Sequence, residues 1–148
     1  MLKPINKFTL TMESCSNNEY FARAAVSAFV TQLDPTLEEL NDIKTAVSEA
    51  VTNCIVHAYK NSIGKIYITV EIYPFSVVKI KIKDKGCGIS DIKEAMEPLF
   101  TTIGGERAGL GFAVMQSFTD DIKVRSKVGA GTTVTLVKKL ELRVKNNA

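Results

Sequence analysis

Four short segments of this 148-residue chain carry residue types and spacings that could do chemistry. In Ser48-Glu49-Ala50-Val51-Thr52-Asn53, Glu49 and Asn53 stand four apart and share one face of any helix. A carboxamide oxygen is a hard ligand suited to Mg²⁺, and a carboxylate can take a proton from a nucleophile. In Asp84-Lys85-Gly86-Cys87-Gly88, an Asp at a strand end can accept from an exocyclic amine such as adenine's. Gly86 and Gly88 would let the backbone approach a flat ligand. In Gly104-Gly105-Glu106-Arg107-Ala108-Gly109-Leu110-Gly111, a glycine loop leads into a helix start, where free N–H groups and the dipole favour an anion. Gly129-Ala130-Gly131-Thr132-Thr133 places a hydroxyl after a tight loop. Each segment also has a plain reading: a polar helix pair, a glycine turn, a loop before a helix, a hairpin. The third is not GxxxxGK[ST], which excludes a P-loop, and it is not GxGxxG after a first strand.

These segments need elements to hold them. Phe8, Leu10 and Met12 alternate with polar residues and predict a short edge strand. Asn17 and Asn18 can cap a helix running to about Leu33, with Phe21, Ala25, Ala28 and Phe29 on its apolar side. Asp34-Pro35-Thr36 breaks it. A longer helix is expected from about Leu37 to Lys60, with the stripe Leu40, Ile43, Val47, Ala50, Cys54 and Ala58. Glu49 and Asn53 lie at the border of that stripe. Strands follow over 66–72 and 78–83, each with one apolar and one polar face, joined through Tyr73-Pro74-Phe75-Ser76. A short helix near Asp91–Met96, a helix from near Gly109 with Leu110, Ala113, Val114 and Phe118 inward, and strands near 122–128 and 132–140 complete the chain. The sum is a two-layer α/β sandwich, with helices on one face of a mixed, mainly antiparallel sheet.

Composition agrees with one domain over 1–148. The chain is 45% hydrophobic and 24% charged, which argues against disorder. No apolar run reaches the roughly 18 residues of a membrane span, and the N-terminus lacks the apolar core of a signal peptide. A cytoplasmic location is expected. Cys15, Cys54 and Cys87 are odd in number and unpaired in spacing, which suits reduced thiols. The net charge of +3 gathers partly at Lys138, Lys139, Arg143 and Lys145. No basic stripe with interleaved aromatics is visible, so no direct nucleic-acid contact is expected.

The order of the four segments is more specific than any one of them. Helix-ExxxN, strand-DxGxG, glycine loop-GxG-helix and GxGT-strand resemble the N, G1, G2 and G3 boxes of the GHKL ATPase/kinase superfamily, over nearly the whole chain. Asn18-Glu19-Tyr20-Phe21-Ala22-Arg23, Val47 to Asn53 and Pro98-Leu99-Phe100-Thr101-Thr102 resemble, more narrowly, the bacterial anti-sigma factors that are serine kinases. The resemblance implies the Bergerat fold, with ATP or ADP between helices and sheet. It implies Asn53 as Mg²⁺ ligand, Glu49 as general base and Asp84 as partner of the adenine amine. Gly86, Gly88 and Thr132 would line the base pocket. Thr102 and the backbone of Gly109, Leu110 and Gly111 would hold phosphates. Arg23 and Arg107 match positions that face partners or phosphates. The implied partners are a sporulation or stress-response sigma factor, an anti-anti-sigma protein carrying the acceptor serine, and a second copy in a homodimer. At Ile103-Gly104-Gly105-Glu106 the lid departs from the family's Lys-Pro-Glu-like run, which bears on lid motion and nucleotide release. His57, the single histidine, stands inside the nucleotide helix and not on a separate dimerising helix, as a histidine kinase acceptor would. A structural role suits it better.

Overall fold

A computed structural model describes residues 2–97 and 111–142. Five strands form one sheet: β1 (Asn6–Glu13), β2 (Lys65–Tyr73), β3 (Val77–Asp84), β4 (Asp121–Lys127) and β5 (Gly131–Lys139), in the order β1-β2-β3-β5-β4. Every ladder is antiparallel, so the parallel component that the sequence left open does not occur among the described strands. The alternation places Ile66, Ile68, Val70 and Ile72 of β2, and Val78, Ile80 and Ile82 of β3, on one buried face. Burying each such side chain stabilises the fold by about 1.5–3 kcal/mol relative to exposure.

Helices α1 (Asn17–Val30) and α2 (Leu37–Asn53), with the shorter α3 (Ile92–Met96) and α4 (Phe112–Phe118), accompany this sheet, and α2 packs against both α1 and α4. α2 opens with a capping box: Thr36 Oγ1 accepts from Glu39 N–H (3.0 Å), and Glu39 Oε1 accepts from Thr36 N–H (2.9 Å). Its buried residues include Ile43, Val47, Ala50 and, just beyond its end, Cys54, as the stripe predicts.

Two helices differ in face. α1 buries Ala22, Val26 and Val30, while Phe21 is 52% exposed and Ala28 is exposed. Spacing alone fits either set; packing against α2 selects the Ala22, Val26 and Val30 side, and of the expected residues Phe29 is partly buried against the core beside it. Asn17 and Asn18 do not cap it. Ser16 holds the N-cap position without a side-chain bond, and Asn18 Nδ2 donates to Glu13 O instead. α4 begins at Phe112 and buries Phe112 and Met115, leaving Val114 exposed. Gly111, its N-cap, has φ +71°, a left-handed conformation that glycine adopts without steric cost. The inward position expected for Leu110 lies outside the described residues.

Candidate functional site

The long helix changes geometry where its chemistry sits. After Asn53 it continues as a π turn, Cys54–Ala58, in which Tyr59 N–H donates to Cys54 O at 3.1 Å. The widened turn turns the Ala58 carbonyl toward the loop after β3, where it accepts from Cys87 N–H (3.1 Å). A Cβ on Gly86 would sit 2.3 Å from that carbonyl oxygen. Only glycine permits this approach of loop to helix.

Between the helices and the sheet face lies a cavity of about 660 Å³, lined by Asn53, Cys54, His57, Asp84, Gly88, Phe112 and Thr132 among others. The volume is in the range of small-molecule sites. Asp84 is buried at its floor, at the end of β3. Its Oδ1 accepts from Gly86 N–H (2.9 Å) and Thr132 N–H (3.2 Å), and its Oδ2 accepts from the Cys54 thiol (3.6 Å). Three donors therefore fix a carboxylate at the cavity floor, with acceptor capacity remaining on Oδ2. Thr132 reaches it because β5 starts at Gly131, whose φ is +120° and whose Cβ would fall 2.1 Å from Asp84 O. The fourth glycine segment is thus shaped by backbone contact with the second.

Asn53 stands in the cavity wall, and its Nδ2 is buried with no hydrogen-bond partner. An orphaned carboxamide facing a cavity suits a ligand, and rotation about its last bond presents either end. No three His, Cys, Asp or Glu side chains gather as a metal cage among the described residues. A single carboxamide fits Mg²⁺ that takes its other oxygens from phosphates and water.

Glu49 shares that face of the helix but does not line the cavity. Its carboxylate lies against Gly111: a Cβ there would be 2.3 Å from Glu49 Oε2. With Ser48 and Arg23 it borders a separate hollow of about 250 Å³. Burial, and then the charge of Glu19, push the Glu49 carboxyl above its ordinary range. Glu19 Oε1 itself accepts from the Ser48 hydroxyl and pairs with Arg23 Nε at 3.2 Å.

The structure therefore brings together Asn53, Asp84, Gly88 and Thr132 around one cavity. It leaves Gly86 behind its wall and places Glu49, Gly111 and Arg23 beyond its edge. Thr102, Arg107, Gly109 and Leu110 lie outside the described residues. Three contributors escape the motif reading: Cys54, Tyr59 and Ser126. The Tyr59 hydroxyl accepts from Lys85 N–H and donates to Lys65 O, both 2.7 Å. Ser126 accepts from Ile89 N–H and lies 2.8 Å from Thr132 Oγ1. Cys54 shows in the sequence only as part of the apolar stripe, and Tyr59 and Ser126 have no spacing signal, since their bonds join separate elements; a polar residue on the inward-alternating side of β4 is the one hint at Ser126.

Residues 16–138 match the histidine kinase-like ATPase domain family, and the chain belongs to it. Its curated relatives narrow the group: an anti-sigma F factor of Caldanaerobacter subterraneus subsp. tengcongensis is 54% identical over 90% of this chain and 93% of its own. Those of Pasteuria penetrans and Priestia megaterium are 52% and 50% identical, covering 92% and 91% of this chain and 92% and 93% of theirs. The crystal structure of the RsbU and RsbW domains of a Mycobacterium tuberculosis protein shares the fold. Its TM-score is 0.69 at 20% identity, over 96% of this chain and 35% of that one. The histidine kinase domain of a blue-light activated kinase from Erythrobacter litoralis does so at TM-score 0.57 and 18% identity, over 80% of this chain and 59% of that one. Among the described residues no helix is long and apolar enough to cross a membrane.

Proposed function

We propose that this protein is an anti-sigma factor and serine kinase, a single domain over 1–148 acting in the cytoplasm as a homodimer. It holds a sporulation sigma factor of the F type inactive and uses ATP to phosphorylate a serine of its anti-anti-sigma antagonist. The observation that carries the reading is the pairing, across one cavity, of the fixed Asp84 acceptor with the unpartnered Asn53 carboxamide. The first suits the adenine amine and the second the phosphate end. The 50–54% identity to anti-sigma F factors supports the choice of partners.

Glu49 takes the proton from the acceptor hydroxyl, and a carboxyl held above its ordinary range is a stronger base for that task. Asn53 would hold Mg²⁺, which when bound neutralises phosphate charge. Thr102 and the amides of Gly109, Leu110 and Gly111 would hold the phosphates, and Gly88 and Gly86 shape the base end. Arg23 and Arg107 would face the protein partners. The transferred phosphate adds about −1.5 to −2 charge to the antagonist surface, which expels it. Choice between sigma factor and antagonist requires different affinities in the ATP and ADP states.

Transfer of label from γ-labelled ATP to the antagonist tests this, with Glu49→Gln alongside. Label on a serine, lost in the variant while ADP binding persists, is expected. A second reading has support in the position of Glu49 outside the cavity lining: a nucleotide-gated sigma-sequestering module without turnover. Capture of the sigma factor without any transfer would establish it and remove the base role from Glu49.

A further inference from the structure

Strand alternation sorts charge as well as apolar residues. On the sheet face turned away from the helices, β3 presents Lys79, Lys81 and Lys83, and β4 presents Lys123, Arg125 and Lys127. Both strands flank β5, and register sets the cations in rows: Lys83 and Arg125 on either side of Thr133, Lys81 and Lys123 on either side of Thr135. Strand spacing and rise put all six in a field about 10 Å wide and about 14 Å long. Asp121 is the one acid that these three strands turn to the same face. The chain as a whole carries only +3, so its charge is segregated. Among the described residues none of the six pairs with a carboxylate. Along the chain the field is hidden, because a residue of the other face separates each cation from the next. Like charges held together unpaired repel one another, and an anionic surface laid on them relieves that repulsion.

Two features choose among polyanions. A single-stranded nucleic acid wants bare rings among the cations for its bases to stack on. Here the two rings of the sheet face are covered: Lys79 Nζ lies 5.2 Å from the Tyr73 centroid and Lys85 Nζ 5.1 Å from that of Tyr67. The second feature is the β2–β3 turn, where Phe75 and Ser76 hold φ of +67° and +59°. Glycine or asparagine takes such positions easily and a bulky residue rarely does, yet Phe75 stands there 71% exposed. Val77 and Tyr73, paired in register on the outer face, adjoin it. An apolar tip beside a flat basic field matches a headgroup layer with acyl chains beneath it. We propose that this outer sheet face is a docking surface for an anionic lipid bilayer, with the β3 and β4 cations on the headgroups and Phe75 inserted at the edge. The inference is independent of the nucleotide reading.

Co-sedimentation of the full chain with vesicles tests it. Vesicles of phosphatidylcholine and phosphatidylglycerol in equal parts are expected to carry the protein down, and phosphatidylcholine alone is not. The combined variant Lys81→Gln, Lys123→Gln, Arg125→Gln changes exposed side chains outside the cavity lining. It should lower the partition about a hundredfold, the scale of three cations withdrawn from an anionic leaflet. Phe75→Ser should lower it about tenfold, the scale of one ring left in water, and leave binding to a single-stranded oligonucleotide unchanged. Should the combined variant not fold, Arg125→Gln alone must still lower the partition about fivefold. No sedimentation with the anionic vesicles, or an unchanged partition in the cation variant or in Phe75→Ser, overturns the proposal. Tight binding of the oligonucleotide without binding of vesicles also overturns it and assigns the face to nucleic acid.

Discussion

The buried thiol of Cys54, first residue of the π turn, donates to Asp84 Oδ2 across 3.6 Å. It also lies 3.5 Å from the Ala50 carbonyl. The thiol thus bridges the helix that carries Asn53 and the strand that carries Asp84. Burial first, and then the Asp84 charge, push its ionisation far above the ordinary thiol range. It remains a neutral donor at any working pH.

Thiol reactivity follows from that contact. In the folded protein at pH 8, Cys54 is expected to resist a disulfide reagent, because the thiolate is the nucleophile and it does not form. Cys87 is exposed and lines the same cavity, so it should react readily and be slowed by saturating ADP. Peptide mapping after timed labelling separates the sites. Reaction of Cys54 at the rate of Cys87 would contradict the buried contact.

Glu49 carries a pH prediction. Its raised ionisation means that it takes up a proton at higher pH than an ordinary carboxyl as pH falls. Phosphotransfer should therefore fail on the acid side sooner than for an unperturbed base. Glu19→Gln removes the neighbouring negative charge but keeps an oxygen for the Ser48 hydroxyl, so the acid limb of kcat/KM should move to lower pH. An unmoved limb would rule out Glu49 as the titrating base.

The same shift has a sign for stability. A carboxyl raised on folding favours the folded state when protonated and disfavours it as pH rises through the folded value. Above that value the ionised Glu49 works against folding. Glu49→Gln is thus expected to raise the melting temperature slightly at pH 7, and the gain should vanish in acid. Melting curves across pH 4–7 read this directly.

The two glycines before β5 differ in what surrounds them. Gly129 has φ +83° and open space about it, whereas a Cβ on Gly131 meets Asp84 O at 2.1 Å. Gly129→Ala should cost about 1 kcal/mol, the left-handed penalty alone. Gly131→Ala should cost about 3 kcal/mol or more, since two strands must part, and should weaken ADP binding by displacing Asp84. Urea unfolding with unchanged slope gives the comparison.

The capping box of α2 gives the simplest case. Thr36→Ala removes the acceptor for Glu39 N–H and should cost about 1 kcal/mol. In a domain of this size that lowers the melting temperature by about 2–4 °C. An equal loss in Glu39→Ala would point to the reciprocal pair as the unit, though Glu39 also accepts from Glu141 N–H at 2.8 Å.

Local chemistry determined much of this protein before any tertiary contact. Period-2 alternation gave β2 and β3 because a one-residue slip would turn Ile66, Ile68 and Ile72 into solvent. Thr36 and Glu39 fixed the start of α2, and the four-residue step put Glu49 and Asn53 on one face. The glycine positions marked where backbones must cross closely. Side-chain spacing could not decide which stripe of α1 is buried, since both sets of residues repeat every three or four positions; the approach of α2 decided it. Nor could spacing find Cys54 beside Asp84, Ser126 beside Thr132 or Glu19 beside Ser48. Those pairs are joined through strand register and helix packing, and a hydrogen bond depends on distance in space, whatever the separation along the chain.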